Sequence, residues 1–432
     1  MEIREVIGSI EKSKEKKDLL HELTPENRKI MSRAKGTFEA VLSGRGKEKY
    51  LIPEAGTLHY LYRGQSQEFT PCVPTLYRGN LPEERIFVER MRLTVFKRLL
   101  ESHPVVSHFF RKHDFVVDVE GMAQHYGLKT CVLDLTSNLD IAFFFATCPY
   151  DPQSDTYSCV TDEETHEGVL YVFDPLFDNE PIPLPDFSDY MRGNIRPIGL
   201  QAFRRPGAQE GYALHIPKGQ STKSWMFRFS YTAEDSQHYY EMFNGGESLW
   251  VKDELVDKVA LIKGQNEFSF DVFDETFEFY RPKGFSKTSL KKIIKKNLPE
   301  ITLTTKYEDL VFSKMECRDI IASWNNGDGE NFCKTIVRKP WYNHDGVNDN
   351  TKRFEIIRNH HDFNTFDHMS EFMLLKMIAS PDGPEGAEWV NYMNTPRPMN
   401  KLGSDKCRKI EACANTVFGK PWLTEADWRI LP

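Results

Sequence analysis

Apolar residues recur at helical spacing after Pro82. They stand at i, i+3, i+7 and i+11 and comprise Val88, Met91, Val95 and Leu99. This spacing places them on one helix face. His103-Pro104 should end the helix, because the residue before a proline avoids the α conformation. The pattern predicts a long amphipathic helix that opens at Pro82 and buries this stripe in a core.

Shorter apolar runs predict strands and further helices. We expect strands at 58–62, 130–135, 168–173 and 254–262, and helices at 122–126, 138–146 and 288–298. Gly245-Gly246-Glu247 is typical of a hairpin turn. The mixture predicts an α+β fold with a central, largely antiparallel sheet and flanking helices.

Changes in composition divide the chain into three segments. Residues 1–45 are charged and look helical, with Thr24-Pro25-Glu26 as a favourable helix start. Residues 46–305 mix strands and helices, and turn-rich stretches follow. We therefore expect a charged helical segment at 1–45 that caps a domain at 46–305, and a mainly helical C-terminal domain at 306–432.

Composition narrows the class of protein. The 56 basic and 64 acidic residues of this 432-residue chain give a net charge of −8, which exerts no general attraction on nucleic acid. The N-terminus lacks the apolar core of a secretory signal, and the apolar run at 141–146 is far too short to span a membrane. We expect a cytoplasmic protein with no membrane segment.

Motif searches exclude several chemistries. No P-loop and no nucleophile elbow occurs in the sequence. The eight cysteines contain no CxxC pair, so all eight are expected to be free thiols. His360, His361 and His368 lack a second ligand pair that would complete a site, and no residue is assigned to a metal.

Three segments concentrate polar groups beside apolar runs: 62–65 (Tyr-Arg-Gly-Gln), which 74–78 (Pro-Thr-Leu-Tyr-Arg) follows, then 124–136 and 205–214. His125 titrates near neutrality. Asp134 and Thr136 lie two apart on a predicted strand and so share a face, as in the wall of a pocket. A core histidine at His125 and a capping carboxylate at Asp134 remain open alternatives.

These segments together resemble the FRG domain, a family named for its Phe/Tyr-Arg-Gly motif. Residues 62–65 resemble its signature, 124–127 and 133–136 its second block, and 142–146 the end of that block; the likeness extends over roughly 55–305. The family usually carries Arg where this chain has Cys131, and Trp where it has Leu135. The family occurs mostly in bacteria, so the resemblance implies a candidate role in a defence or toxin-like system.

A weaker resemblance is to the Arg-Ser-Glu class of ADP-ribosyltransferases. It implies an ADP-ribosyltransferase-like fold in which Arg63 clamps a pyrophosphate and the turn after Thr136 orients a ribose. The position of the class's catalytic glutamate falls on Gly211, and Glu210 should point to the opposite face of its strand. A transferase would therefore need a shifted carboxylate, for example Asp134 or Glu247, or an irregular strand.

These motifs predict one pocket. The candidate catalytic residues are His125 and Asp134, and the candidate ligand-binding residues are Arg63, Gln65, Gln124, Tyr126, Thr136 and Gln209. The expected ligand is a nucleotide or NAD-like small molecule, with NAD as candidate substrate and a protein or RNA as possible target. A non-catalytic module that binds a nucleotide, RNA or protein is one alternative, and hydrolysis or nuclease action through His125 and Asp134 is another. A further alternative is that Arg63 and Asp134 form a buried pair that stabilises the fold and binds no ligand.

Overall fold

The computed structural model describes residues 1–20, 38–42, 49–53, 60–174, 195–220, 224–305 and 308–335. The strands are β1 (Phe38–Leu42), β2 (Lys49–Pro53), β3 (Leu61–Gln65), β4 (Val132–Thr136), β5 (Tyr150–Asp151), β6 (Thr156–Tyr157), β7 (His166–Phe173), β8 (Ile195–Pro197), β9 (Gly211–His215), β10 (Trp225–Tyr231), β11 (Glu267–Ser269) and β12 (Thr302–Thr304). The helices are α1 (Ile3–Leu20), α2 (Glu83–Ser102), α3 (Val119–His125), α4 (Leu139–Thr147), α5 (Arg204–Ala208), α6 (Ala233–Met242), α7 (Leu255–Gly264), α8 (Phe270–Tyr280), α9 (Lys287–Asn297), α10 (Lys314–Ser323) and α11 (Gly329–Thr335).

A six-stranded sheet carries the motif segments. Its order is β10-β7-β3-β4-β9-β8, and every neighbouring pair is antiparallel. The small pairs β1–β2 and β5–β6 are antiparallel as well, and β11–β12 is parallel. The predicted α+β fold with a largely antiparallel central sheet is confirmed.

Alternation along β7 explains why both faces of the sheet are covered. Val169, Tyr171 and Phe173 pack into an apolar cluster on one face, together with leucines of β3, β4 and β9. Leu170 and Val172 point to the other face, where α4 and α6 pack. The chain therefore holds β3 and β4 rigidly in the middle of a sandwich of apolar layers.

A helical layer around α2 forms the largest apolar cluster. The predicted stripe of α2 is fully buried in it, and α7, α8 and α9 contribute Val259, Phe273 and Leu290. Pro82 precedes the first residue of α2, and His103 follows its last, as predicted. This layer supports α3, whose Met122 and Ala123 belong to the same cluster.

Two local predictions are wrong. Residues 254–262 are not a strand but lie largely in α7, because Leu255, Val259 and Ile262 follow a helical spacing and only that face is buried. Gly245 and Gly246 do not form a hairpin turn. They close a single 3₁₀ turn, Asn244–Gly246, that follows α6.

Each end of the described chain packs against one of the two apolar clusters described above, the N-terminal end on the sheet and the C-terminal end on the helical layer. Ile3, Val6 and Ile10 of α1 are buried against the sheet. Residues 38–42, expected to be helical, form β1 instead, because they pair in register with β2. Phe312 and Cys317 join the helical layer around α2, whereas Thr24-Pro25-Glu26 and residues 336–432 lie outside the described residues.

Two further expectations concern membranes and thiols. Among the described helices, none is long and apolar enough to cross a membrane. The cysteines whose side chains are described are free thiols: Cys72, Cys131, Cys148, Cys159 and Cys317. The prediction of free thiols therefore holds for these five, and the other three lie outside the described side chains.

Candidate functional site

The site begins where two neighbouring strands diverge. β4 and β9 pair along their whole length, whereas β3 and β4 pair through Tyr62 and Thr136 alone. The guanidinium of Arg63 crosses the opening: Nη1 donates to the main-chain oxygen of Asp134 at 3.0 Å and also to its carboxylate. The Arg63 side chain thus replaces main-chain hydrogen bonds between β3 and β4, and a cleft is left between the two strands.

Arg63 is largely buried and Asp134 is 34% exposed, and every nitrogen of the Arg63 guanidinium has a hydrogen-bond partner. With its amide oxygen turned toward the guanidinium, Gln65 accepts from Arg63 Nε at 3.2 Å and from Nη2 at 3.1 Å. Burial acts to raise the pKa of Asp134, but the Arg63 guanidinium and the nearby His125 hold it below its usual range. Asp134 is therefore a carboxylate at neutral pH, and Arg63 is fixed in position.

The tautomer of His125 follows from its one partner. Gln209 Nε2 donates to the main-chain oxygen of Leu249 at 3.0 Å, so the Gln209 Oε1 atom faces His125 and accepts from Nδ1 at 2.7 Å. Burial lowers the pKa of His125 and keeps the ring neutral. Nδ1 therefore carries the proton, and Nε2 is a bare acceptor, buried with no hydrogen-bond partner.

Gly211 provides the space for this ring. A Cβ atom at residue 211 would lie 2.8 Å from His125 Nε2 and 3.1 Å from Cε1, closer than real contacts allow. The position at which the transferase class has a glutamate is thus filled by the imidazole of His125. No carboxylate can project from this residue into the cleft without displacing the histidine.

A small, partly open cleft collects these groups; its cavity volume is about 20 Å³, space for roughly one water molecule. Its lining residues are Tyr62, Arg63, Gly64, His125, Asp134, Leu135, Thr136, Phe145 and Gln209. Five of the predicted site residues therefore meet at one point, although they come from α3, β3, β4 and the turn after α5. Polar acceptors stand beside an aromatic and aliphatic wall, as is common in small-molecule sites.

Residues 58–155 match the FRG domain family. The chain carries an FRG domain. The matched range includes Arg63, His125 and Asp134, but the histidine's partner Gln209 and the facing Gly211 lie beyond it. No curated protein and no solved structure matches the chain.

A second cation of the FRG domain, Arg78, was missed by the sequence reasoning as a site residue. Its Nε donates to the main-chain oxygen of Val73 at 3.2 Å, and burial together with the charge of Arg63 lowers its pKa. The positive charges of Arg63 and Arg78 thus both lie near one carboxylate, that of Asp134. The sum of these three charges near the cleft is positive. The sequence does contain a signal for Arg78, because the Tyr-Arg dipeptide at 77–78 repeats the one at 62–63.

Three predicted site residues of the FRG domain do not line the cleft. Gln124 supports it from behind: Nε2 donates to Asp134 at 3.4 Å, and Oε1 accepts from the Thr130 hydroxyl at 2.6 Å. Tyr126 points the other way, into the helical layer, where its hydroxyl donates to Asp253 and its ring lies 4.9 Å from the Arg205 guanidinium. Gln65 contacts Arg63 and so belongs to the support as well.

Glu210, beyond the matched range, is tied to the turn after β4. Its backbone has a positive φ of 46°, and its carboxylate accepts from Ser137 Oγ at 2.7 Å and from Asn138 Nδ2 at 3.1 Å. The expected alternation fails here because Glu210 precedes β9 in a left-handed conformation. A carboxylate and the hydroxyl turn are therefore neighbours, although the cleft itself does not include Glu210.

Proposed function

We propose that the cleft of the FRG domain binds a nucleotide, with NAD as the candidate substrate, and that the chain is an ADP-ribosyltransferase-like effector of a defence or toxin-like system. The observation that carries the proposal is the unpartnered Nε2 of His125. It lies in a cleft beside one carboxylate and near two guanidinium groups.

Ribose and phosphate would find complementary groups in this arrangement. Sugar hydroxyls donate hydrogen bonds, and two residues that line the cleft carry acceptors, His125 at Nε2 and Asp134 at its carboxylate. Phosphate oxygens require donors, and the excess positive charge of Arg63 and Arg78 favours an anion nearby. The rings of Tyr62 and Phe145 offer an apolar wall to a base.

His125 would serve as the proton acceptor. A neutral imidazole that donates through Nδ1 to Gln209 leaves Nε2 as an unpartnered acceptor, the protonation state that a general base requires. The base would take the proton of an attacking hydroxyl, from water or from a protein or RNA target, as nicotinamide leaves. Asp134 would offset the positive charge that develops on the sugar.

A non-catalytic nucleotide-binding module is the second candidate. It is favoured by Gly211, which provides no carboxylate where the transferase class has its glutamate, and by the donors of Arg63, which are already engaged with Gln65 and Asp134. In that case nucleotide binds and is not consumed.

His125→Asn tests the proposal. The Asn amide nitrogen can occupy the place of Nδ1 and donate to Gln209, whereas the atom equivalent to Nε2 is absent. We expect purified wild type to consume NAD, measured by chromatography of nicotinamide release, and the variant to be slower by about 10²- to 10⁴-fold. Thermal melting should be nearly unchanged.

His166→Asn is the matched control, since His166 pairs with Asp162 away from the cleft. Its NAD consumption should equal that of wild type. Wild type that binds ADP-ribose in calorimetry but leaves NAD intact would instead favour the binding module. Wild type that neither binds nor consumes NAD, ADP-ribose or AMP would refute both candidates.

A further inference from the structure

A second cluster of reactive side chains lies at the far end of the same strands. Cys131, Glu120 and His215 each offer one ligand atom, and these atoms all lie within 4.8 Å of one another. The Cys131 Sγ atom is 2.9 Å from Glu120 Oε2 and 3.3 Å from His215 Nδ1, and His215 Nε2 is 3.5 Å from Glu120 Oε2. Among the described residues, they form a compact thiol, carboxylate and imidazole triangle.

The dimensions of this triangle are close to those of a zinc site. Zinc binds Cys, His and carboxylate oxygen at about 2.0–2.3 Å in tetrahedral geometry, so the ligand atoms of a site stand about 3.3–3.7 Å apart. With Nε2 as the ligand atom, His215 lies 3.5 Å from Cys131 Sγ and 3.5 Å from Glu120 Oε2, and both distances fall within this range. Cys131 would have to move away from Glu120 by about half an ångström to meet the same geometry.

Three rigid elements hold the ligands in place. Glu120 lies in the first turn of α3, Cys131 directly precedes β4, and His215 ends β9 opposite Val132. The residues are separated by 11 and 84 positions along the chain, so no motif spacing identifies them in the sequence. The sheet register brings them together.

The carboxylate is also oriented from behind. The Tyr280 hydroxyl donates to Glu120 Oε1 at 3.0 Å, which leaves Oε2 directed at Cys131. The ring of Tyr280 is covered in turn by the Arg90 guanidinium, 4.6 Å from its centroid. Such outer hydrogen bonds to a ligating carboxylate are usual in metal sites.

We propose that Glu120, Cys131 and His215 bind one zinc ion and thereby fasten α3 to β4 and β9. The thiol that now donates to Glu120 releases its proton when the metal binds, and the thiolate and carboxylate together neutralise the dication. Water completes the fourth position, on the side where His215 is partly exposed. The site is separate from the cleft and does not rest on the proposed function.

Cobalt(II) titration of the full chain, after removal of metal by a chelator, tests the site through the thiolate-to-cobalt absorption band. Wild type should develop the band, and zinc should abolish it by displacement. Cys131→Ser should lose the band and one equivalent of zinc. The matched control Cys159→Ser, in a cysteine remote from the cluster, should retain both.

Tyr280→Phe provides a second variant that keeps all three ligands. Loss of its hydroxyl should weaken zinc binding by about 10- to 100-fold while the cobalt band keeps its shape. The chain has further cysteines and histidines beyond residue 335, so the difference between wild type and Cys131→Ser carries the test. Equal zinc content and equal bands in wild type and Cys131→Ser, both folded by circular dichroism, would overturn the proposal.

Discussion

The space beside Gly211 decides whether the His125 ring can stand in the cleft. In Gly211→Ala the new methyl group would overlap the imidazole at 2.8 Å and force it out of its hydrogen bond with Gln209. We expect a loss of about 1–3 kcal/mol in the free energy of unfolding, measured in urea. Binding of ADP-ribose should fall with it if the cleft is the nucleotide site.

Gly264→Ala provides the comparison for that variant. A Cβ atom at residue 264 meets nothing within 4 Å, and this residue ends α7. Its free energy of unfolding should be unchanged or slightly higher, because alanine favours helix. Equal stability of the two variants would contradict the packing of His125 against Gly211.

Acid should destabilise the protein through His125. Burial lowers its pKa in the folded state, so below about pH 6.5 the unfolded chain takes up a proton that the folded chain refuses. The contribution is fully present above that pH and is lost as pH falls toward the lower folded value. Asp134, whose pKa is also lowered, adds a similar loss in still more acidic solution.

The contribution of His125 to this pH dependence is measured by comparing the free energies of unfolding of wild type and His125→Asn between pH 5 and 8. The variant should lose less stability than wild type as pH falls from about 6.5. Parallel curves would mean that His125 binds protons equally in the folded and unfolded chains, and would contradict its buried neutral state.

At this scale the sequence predicted positions better than orientations. The convergence of Arg63, His125 and Asp134 was foreseeable, since each is a polar residue beside an apolar run in one of the motif segments. Tyr126 was misjudged because residues adjacent on a helix point about 100° apart, and it follows His125 at the end of α3. The roles of all these residues in ligand binding remain predictions.

The contact between α2 and α8 contains a buried pair of hydroxyl groups. The hydroxyl oxygens of Thr94 and Thr276 lie 2.7 Å apart. Each hydroxyl is also within hydrogen-bond distance of a main-chain oxygen of its own helix, that of Arg90 for Thr94 and that of Val272 for Thr276. Thr276→Val should cost about 1 kcal/mol, because one hydrogen bond is lost without a large change of shape. Adding Thr94→Val should cost less than it does alone.

A double-mutant cycle on urea unfolding measures that coupling. If the two single costs simply add, the hydroxyl groups do not stabilise one another. Such additivity would contradict their contact.

Elements with local patterns were predictable, and their arrangement was not. The apolar stripe of α2 runs from Val88 to Leu99 and by itself identifies a buried face of the helix. Residues 254–262 are shorter and rich in β-branched residues, so their composition favoured a strand although the spacing of their buried residues is helical. The sheet order could not be derived, because β3 pairs with β4 and β7 across more than 65 and 100 residues of chain.

At the scale of the whole molecule, α1 is part of the sheet's apolar layer. Ile10 is only 2% exposed and packs in the same cluster as Tyr60 and Phe229. Ile10→Ala should lower the free energy of unfolding by about 2–5 kcal/mol. Lys12→Ala, on the exposed side of the same helix, should change it by less than about 0.5 kcal/mol.

Both variants are compared by urea unfolding monitored at the aromatic residues of the core. An Ile10→Ala protein as stable as Lys12→Ala would show that α1 contributes nothing to the core. Residues 1–45 would then be separate from the domain at 46–305 in stability as well as in composition.

The docking of the first residues on β10 has a consequence for synthesis on the ribosome. The Met1 carbonyl accepts from the Ser230 amide at 2.7 Å, so this segment pairs with a strand made more than two hundred residues later. At about 5–20 residues per second, the partner strand follows after roughly ten to fifty seconds. Throughout that interval Ile3, Val6 and Ile10 lack the side chains that β10 adds to their cluster and are available for non-native association.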